Sequence, residues 1–344
     1  MTASETADRR AQIPKEELHD LQQAVSALRE EIQQRFFSAP ASSVDLGRWV
    51  REVRDEVRAR VARLDVLRMY EDLRQRVSVF GMEERSVEVD DFGLDPAYLR
   101  QARGLLDFLY ERWWRVRVSG IGEIPRPPRV LFVSNRSGIL PYDGLMLAHA
   151  IEREHPDHVR PRFLVADWLV TLPFSQPVLA RLGGVRACPE NASRLLAGGS
   201  PVIAFPEGQK GALKPFRDRY RLQRFGRGGF VSLAIRHRVA IVPTAVVGAE
   251  EAHPLLFRPK FLSRLLGAPL PVTATFPHLG PLGLVPLPSQ WVIAFGEPFQ
   301  FDGVDPEKAE DPLYVNRTRE TIRSSVQSLV EEGLRLRRSV WSAD

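Results

Sequence analysis

Three loops of this sequence concentrate the side chains whose types could do chemistry. Residues 134–144 read Ser-Asn-Arg-Ser-Gly-Ile-Leu-Pro-Tyr-Asp-Gly, residues 183–186 read Gly-Gly-Val-Arg, and residues 205–211 read Phe-Pro-Glu-Gly-Gln-Lys-Gly. An arginine presents a planar fork of donors that matches a phosphate group, and backbone amides beside glycines add further donors. The three loops therefore favour a site for a phosphate-bearing substrate.

The elements that must position these loops follow from the hydrophobic pattern. Helical patterns begin between short apolar runs, near Asp143, Glu190 and Phe230. Strands that alternate with helices predict an α/β fold with a mainly parallel sheet flanked by helices. In such a sheet, ligands bind where strands end and helices begin. The predicted strands lie at residues 130–133, 201–205, 240–243 and 291–295.

Residues 1–118 are predicted to form a helical N-terminal region. Leu, Val and Ile recur at three- and four-residue spacing between Arg and Glu over residues 16–37 and 46–79, which indicates amphipathic helices. These helices would pack on the main domain, pair with a second copy of the chain in a homo-oligomer, or bind another partner. We assign the α/β domain to residues 119–303 and a C-terminal helix to residues 304–344.

Composition favours a globular protein of the cytoplasm. The 344 residues are 44% hydrophobic and 26% charged, as is typical of soluble domains. A single cysteine, Cys188, cannot form an intramolecular disulfide, and the first residues lack the pattern of a secretory signal. No group of cysteine and histidine residues has the spacing of metal ligands, so we expect no metal site.

Charge and apolar character favour lipid partners over nucleic acid. The 48 Lys and Arg residues exceed the 43 Asp and Glu residues by only five, which suits anionic surfaces or phosphorylated substrates. Between Arg264 and Glu297 the chain has no charged residue and six prolines, which would break a spanning helix. We expect this segment to contact a membrane or line a substrate tunnel, with the protein peripheral to the inner membrane face. Trp113 and Trp114, among arginines, suit a membrane interface or core packing equally.

The order and spacing of the loops resemble the four motifs of the glycerol-phosphate and lysophospholipid acyltransferase family. Those motifs are an Asn-His-x-x-x-x-Asp loop, a Gly-x-x-x-Arg-type segment, a Phe-Pro-Glu-Gly loop and a Val-Pro strand. They correspond in order to residues 134–144, 183–186, 205–208 and 241–245. The resemblance covers roughly residues 119–300 and leaves the N-terminal helices outside it.

The resemblance implies a reaction, and the sequence departs from it at one position. In that family the motif His removes the proton of an acceptor hydroxyl, which attacks the thioester of acyl-CoA or acyl carrier protein, while the Asp orients the imidazole. Asp143 matches the Asp, but Arg136 stands where His is expected, and six residues rather than four separate the two. A guanidinium group has a pKa above about 12 and stays protonated, so Arg136 cannot act as the base.

The other site residues are implied by the same resemblance. Arg186 and the Phe-Pro-Glu-Gly loop would hold the acceptor phosphate, and we expect no cofactor beyond the donor substrate, acyl-CoA or acyl carrier protein. A basic stretch over residues 210–227 would contact phosphate or anionic headgroups, or form a solvated loop. The residues expected to bind substrate are Asn135, Ser137, Arg186, Phe205, Pro206, Glu207, Gly208 and Lys210.

Two functions follow, and they differ in whether the missing base is replaced. The first is transfer of a fatty acyl group from the thioester to the hydroxyl of a lysophospholipid or glycerol phosphate. Its base would be the substrate itself or a distant histidine such as His253 or His278, although a structural role is the simpler expectation for both. The second is a catalytically silent member, a pseudoenzyme, that binds phospholipid or acyl thioester as a carrier, sensor or partner of an active relative.

Overall fold

The structure is a computed structural model, and it contains almost all of the three loops predicted to form the site. It describes residues 89–127, 129–138, 140–170, 175–257, 272–273 and 286–337. The helices predicted at residues 16–37 and 46–79, and most of the charge-free segment between Arg264 and Glu297, lie outside the described residues.

The centre of the described fold is a seven-stranded sheet. Its strands are β1 Arg117–Ser119, β2 Val130–Ser134, β3 Arg162–Val165, β4 Gly184–Arg186, β5 Val202–Ala204, β6 Ala240–Val247 and β9 Val292–Phe295. A second, antiparallel pair is formed by β7 Leu255–Phe257 and β8 Val272–Thr273. The order across the main sheet is β1-β9-β6-β2-β5-β3-β4, and neighbours are parallel except β6 and β9.

Helices flank this sheet and connect its strands. The described α-helices are α1 Pro96–Phe108, α2 Tyr142–Glu154, α3 Asp167–Val170, α4 Ser175–Arg181, α5 Pro189–Ala197, α6 Gly208–Ala212, α7 Gly229–His237, α8 Ala249–Ala252 and α9 Pro312–Leu336. A π-helical turn, Leu109–Trp113, continues α1. Short 3-10 turns lie at Ile121–Glu123, Phe216–Asp218 and Pro306–Ala309.

Asp-Pro pairs begin the flanking helices α1 and α9. The Asp95 carboxylate accepts hydrogen bonds from the Ala97 and Tyr98 amides at 2.9 and 3.1 Å. Asp311 caps α9 in the same way, accepting from the amides two and three residues further on. Capping satisfies amides that have no partner within the helix, and proline at the first position has no amide to satisfy. The sequence alone therefore predicts both helix starts.

Strand β2 shows that the sheet is buried on both faces. Val130 and Phe132 pack in one cluster of buried side chains, whereas Leu131 and Val133 pack in another. Because side chains alternate across a strand, these clusters lie on opposite faces of the sheet. Side chains of α1 and α2 belong to the first cluster, and side chains of α5, α7 and α9 belong to the second. Burial on both faces explains the continuous apolar run of this strand.

Trp114, which suited either a membrane interface or the core, belongs to the core. It is fully buried and stacks on Trp291 with ring centroids 4.3 Å apart. Its indole donates to the carbonyl oxygen of Leu287 at 3.3 Å, and the half-buried Trp113 donates to that of Pro286 at 3.0 Å. The two tryptophans therefore attach the end of α1 to the segment that leads into β9.

The fold class predicted from the sequence is confirmed, including the C-terminal helix. Val330 of α9 packs with Val247 and Val292 on the sheet. Gly333 lies so close that an added Cβ would be 2.8 Å from the Val247 side chain. The main sheet is mostly parallel and is flanked by helices, as expected. Within the part of the chain that the structure describes, no helix is both long and apolar enough to cross a membrane.

Candidate functional site

The first and third loops lie side by side where parallel strands end. Ser134 is the last residue of β2 and pairs with Thr244 of β6, while Val133 pairs with Ala204, the last residue of β5. The loops that follow β2 and β5 therefore emerge from the same edge, which we call the site edge. In parallel α/β sheets this edge is where ligands bind.

Asn135 fixes the first loop to β6. Its side-chain amide donates to the Val246 carbonyl oxygen at 2.9 Å, and its side-chain oxygen accepts from the Val246 amide at 2.8 Å. The amide nitrogen also donates to the Ser137 hydroxyl at 3.1 Å. Asn135 is 1% exposed and Ser137 is 2% exposed. Both residues, expected to bind substrate, make contacts that position the loop, and their contact with substrate stays a prediction.

Arg136 and Asp143 form a buried ion pair at the centre of the site. An Nη1 hydrogen of Arg136 is donated to Asp143 Oδ1. The same carboxylate accepts from the Ser137 and Gly144 amides, each at 2.8 Å. Burial raises the pKa of Asp143, and the guanidinium and the two amides oppose that shift. The carboxylate, which is fully buried, thus has three donors, and its main partner is a permanent cation.

The position expected to hold a base therefore holds a fixed positive charge. The Arg136 side chain is 6% exposed, and its guanidinium carbon lies 5.0 Å from the centre of the Phe205 ring. This cation–π contact and the ion pair hold the guanidinium in one orientation. A guanidinium binds and stabilises negative charge but does not accept a proton at neutral pH. With Arg136 in this position, the loop presents a permanent cation where a proton acceptor is expected.

Glu207 joins the third loop to the first. Its Oε1 accepts from the Arg136 amide at 2.8 Å, and its Oε2 accepts from the Gln223 amide at 2.7 Å. Burial raises the pKa of Glu207, and the nearby Lys214 ammonium opposes the shift. The carboxylate, only 3% exposed, is thus used inside the protein. Glu207 holds the two loops together, and its expected phosphate contact stays a prediction.

Two glycines explain how tightly the third loop turns. Gly208, on the site side, has a φ of 56° and donates its amide to the Phe205 carbonyl oxygen at 3.0 Å, which closes the turn around Pro206. Gly211 faces the other loop, because an added Cβ would lie 2.6 Å from the Glu207 Cβ and 2.9 Å from the Arg136 Cβ. Gly211 was not predicted as a site residue. In the sequence, the only feature that distinguishes this position is a glycine directly after Lys210, at the end of the third loop.

Lys214 does not belong to the exposed basic stretch in which it was placed. It is buried, its ammonium lies 2.9 Å from Glu250 Oε1, and it donates to the Arg221 carbonyl oxygen at 3.0 Å. Glu250 Oε2 accepts from the Tyr220 amide at 3.0 Å. Burial raises the pKa of Glu250 to about 7 despite the opposing effect of Lys214. Lys214 therefore does not contribute its charge to the exposed basic surface, because it is buried against Glu250.

Glu251, next to Glu250 on α8, belongs to a second buried network. It accepts from the Tyr220 hydroxyl at 2.7 Å and forms an ion pair with Arg337. Arg337, which follows α9, also donates to the Tyr220 hydroxyl at 2.9 Å. The end of α9 is thereby attached to α8 at the site edge. Sequence reasoning missed both glutamates, although they directly follow the Val-Pro strand.

The remaining cations of the basic stretch are exposed at the site edge. We call them the cationic rim: Lys210, Arg217, Arg219, Arg221, Arg224 and Arg227. Asp218, the one carboxylate among them, lies 3.7 Å from Arg217, and Arg219 lies over the Phe216 ring at 4.5 Å. All six residues lie between β5 and α7, in the part of the chain that begins with the third loop. The rim gives this edge a positive surface suited to phosphate groups.

Arg186 lies at the same edge but away from the central pair. It ends β4, which is two strands from β5, so strands about 4.8 Å apart place it about 10 Å along the edge. Its guanidinium is exposed and forms an ion pair with Asp167 at 2.9 Å. Among the described contacts, none joins Arg186 to Arg136 or Glu207. The structure therefore brings together two of the three predicted loops and leaves the third as a neighbour.

The comparisons with known proteins agree with these observations. The family model described as Acyltransferase matches residues 115–247. Uncharacterized proteins of Mycobacterium bovis and Mycobacterium tuberculosis are 46% identical over 255 residues, which is 74% of this chain and 71% of each relative. A Mycobacterium leprae relative is 45% identical over 74% of this chain and 70% of its own length. A solved structure, the 1-acyl-sn-glycerophosphate acyltransferase PlsC of Thermotoga maritima, aligns at 17% identity with a TM-score of 0.47, covering 79% and 90% of the two chains.

The chain belongs to the same family as these mycobacterial proteins, and the part of it that carries the motifs matches the acyltransferase family model. The matched residues contain the first three motifs and the Val-Pro strand, and they end with β6 at Val247. Acyl transfer is the general chemistry of this family assignment.

Proposed function

We propose that the protein transfers a fatty acyl group from acyl-CoA or acyl carrier protein to the hydroxyl of a lysophospholipid or a glycerol phosphate at a membrane surface. One observation carries the proposal. The Arg136 amide and the Glu207 carboxylate hold the first and third motif loops together at the site edge, directly beside Asp143. A buried cross-link between two motif loops is expected where both loops contribute to one binding or reaction site.

The cationic rim supports a phosphate-bearing substrate. Its side chains are exposed around the same edge, and one carboxylate, Asp218, lies among them. Guanidinium and ammonium groups bind phosphate through charge-assisted hydrogen bonds. A lysophospholipid, a glycerol phosphate and the phosphates of coenzyme A all offer such groups. Anionic headgroups of a bilayer would add attraction of the same sign and keep the protein peripheral to the membrane.

The chemical step requires a proton acceptor other than Arg136. The hydroxyl oxygen of the acceptor bonds to the thioester carbonyl carbon, the carbon–sulfur bond breaks, and the proton finally resides on the departing thiol. Arg136 would stabilise negative charge that develops on substrate oxygens. Asp143 would fix the direction of the guanidinium. The proton itself would pass to the acceptor phosphate or to an imidazole elsewhere in the site.

A second function is favoured by the Arg136–Asp143 ion pair itself. The pair is buried, and it neutralises the carboxylate that should orient a base. A family member that has lost its base would bind phospholipid or acyl thioester without turning it over, as a carrier, a sensor or a partner of an active relative. Loss of general base catalysis reduces rates by about 10²–10⁴-fold, so very slow transfer would also fit this function.

One experiment separates the two functions. Release of free thiol from acyl-CoA is followed with lysophospholipid or glycerol phosphate as acceptor, and the acylated product is identified by mass spectrometry. Wild type is compared with Asp143→Asn, Arg136→His and a matched control, Asp107→Asn, whose carboxylate pairs with His149 and Arg153 away from the loops. Acceptor-dependent turnover by wild type and the control, but not by Asp143→Asn, supports acyl transfer. Turnover by Arg136→His alone supports the silent family member.

A further inference from the structure

The strand of the fourth motif leads directly to a histidine at the site edge. β6 ends at Val247, α8 follows as Ala249–Ala252, and His253 ends α8. The start of α8 lies against the first loop, since a Cβ added to Gly138 would be 3.8 Å from the Ala249 carbonyl oxygen. The short helix therefore borders the loop that carries Arg136, and His253 stands at its far end.

The His253 ring lies against the residue that precedes Asp143. His253 is 7% exposed, and its ring is parallel to the Tyr142 ring within 3°, with centroids 5.8 Å apart. Tyr142 in turn packs edge-on against Trp114 at 5.3 Å. Stacking of this kind fixes the plane of an imidazole without using a carboxylate. Arg136 and two amides already use the Asp143 carboxylate, and the Tyr142 ring contacts the face of the His253 ring.

The other described histidines lie elsewhere. His155 and His158 follow the far end of α2, and His237 ends α7 just before β6 begins, so these three lie at the opposite edge of the sheet. His149 is seven residues into α2, about 10 Å from its start at 1.5 Å per residue, and bonds to Asp107 at 3.0 Å. Among the residues that the structure describes, His253 is the imidazole at the site edge.

We infer that His253 supplies the base that the first motif lacks, an inference that rests on the proposed acyl transfer. The acceptor hydroxyl proton passes to an imidazole nitrogen as the oxygen bonds to the thioester carbonyl carbon. When the carbon–sulfur bond breaks, the imidazolium returns the proton to the sulfur, so the step needs no further reactant. Imidazole suits this task because its ordinary pKa lies near neutrality. His253 would perform the proton transfer that the motif histidine performs in the family, and Arg136 would stabilise negative charge on substrate oxygens.

The test compares two substitutions that separate chemistry from packing. His253→Phe keeps an aromatic ring against Tyr142, whereas His253→Ala leaves a space that free imidazole can enter. We expect kcat of both variants to fall by about 10²–10⁴-fold, with thermal unfolding of His253→Phe close to that of wild type. Added imidazole should restore part of the rate to His253→Ala and none to His253→Phe. His149→Ala, which also removes a buried imidazole, is the matched control and should show no rescue.

Each other outcome contradicts the inference in a distinguishable way. If wild type turns over and both variants keep its rate, the base lies elsewhere, but the proposed function stands. If both variants lose activity and imidazole restores neither, His253 is structural. If wild type itself releases no thiol with any acceptor, the proposed function and the role of His253 fail together.

Discussion

The guanidinium of Arg136 and the carboxylate of Asp143 form an ion pair that is almost completely removed from solvent. The two residues are seven positions apart, one in the loop after β2 and the other in the first turn of α2. Each charge is compensated mainly by the other. The pair therefore stabilises the loop only while both members are present, and this dependence is measurable.

Asp143→Ala should destabilise the protein by about 3–5 kcal/mol, because it leaves a buried guanidinium without its partner. Urea denaturation of the variant and wild type checks this value. Asp167→Ala is the matched control, since it also removes an aspartate paired with an arginine, Arg186, but in an exposed pair. We expect a much smaller loss for the control. Equal losses for the two variants would show that the central pair contributes no more than a surface pair.

Gly211→Ala should destabilise the protein by about 1–3 kcal/mol, the usual range for overpacking a filled site. Its new methyl group would overlap Glu207 and Arg136, whose Cβ atoms lie within 2.9 Å of the added Cβ position. Acyl transfer should fall with it, because the two motif loops must move apart. Thermal unfolding and thiol release measure the two effects.

Gly104→Ala is the matched control for this substitution. Gly104 lies inside α1, and an added Cβ would meet nothing within 4 Å. Alanine is favoured over glycine in a helix by about 0.5–1 kcal/mol, so this variant should be slightly more stable than wild type. A similar change in stability for both variants would contradict the close approach described at Gly211.

Glu250→Gln should change how stability depends on pH. Burial raises the pKa of Glu250 from 4.5 to about 7 in the folded protein. The protonated carboxyl thus contributes stability that is complete below about pH 4.5 and is lost as the pH rises to about 7, a change of about 3 kcal/mol at 1.36 kcal/mol per pKa unit. Glutamine cannot titrate, so the decline should be smaller in the variant than in wild type, while Asp143 and Glu207, whose pKa values are also raised by burial, keep their contributions. Urea denaturation at several pH values between 4.5 and 8 measures it.

Glu320→Gln serves as the control for the pH experiment. Its carboxylate is exposed beside Arg323 and Arg319, which lower the pKa of Glu320. The decline in stability between pH 4.5 and 7 should persist in this variant. If Glu250→Gln keeps the same decline as wild type, the proton is held by another group.

Charge reversal in the cationic rim should weaken substrate binding more than it slows the chemical step. Arg224→Glu with Arg227→Glu is expected to raise the KM for lysophospholipid and to make it less sensitive to salt, because exposed charges are screened. Arg126→Glu with Arg129→Glu is the matched control, since both residues are exposed just before β2 at the opposite edge. Steady-state kinetics at several ionic strengths compares the two double variants. Equal effects would mean that net charge matters rather than the rim.

Much of the fold was predictable because its signals are local. Apolar runs predicted strands at β2, β5, β6 and β9, and the amphipathic pattern near the end of the chain predicted a C-terminal helix. The reversed direction of β9, inserted between β1 and β6, was not predictable. It depends on pairing between segments far apart in the chain, which no local pattern records.

The sequence predicted that the first and third loops would lie together, but it did not predict which residues would be hydrogen-bond partners. The motif order identified Arg136, Asp143 and Glu207, and the structure brings all three together. Their contacts differ from the simplest expectation, because Glu207 accepts from backbone amides and Lys214 is buried against Glu250. The sequence shows that Lys214 follows the third loop. It does not show that Lys214 is buried and forms an ion pair with Glu250 of α8.

The two hydrogen bonds between Asn135 and Val246 restrict which side chain can replace asparagine at position 135. A primary amide presents a donor and an acceptor on the same side, so it can bond both the N–H and the carbonyl oxygen of one residue, as a residue of a neighbouring strand does. The side chain of Asn135 therefore acts as one more rung of the β2–β6 ladder, beyond the point where the main chain of β2 turns away. Aspartate has the same shape but would set an acceptor against the Val246 carbonyl, and serine would be too short to span both groups. The side-chain amide of Asn135 thus holds the loop that carries Arg136 at a fixed distance from β6.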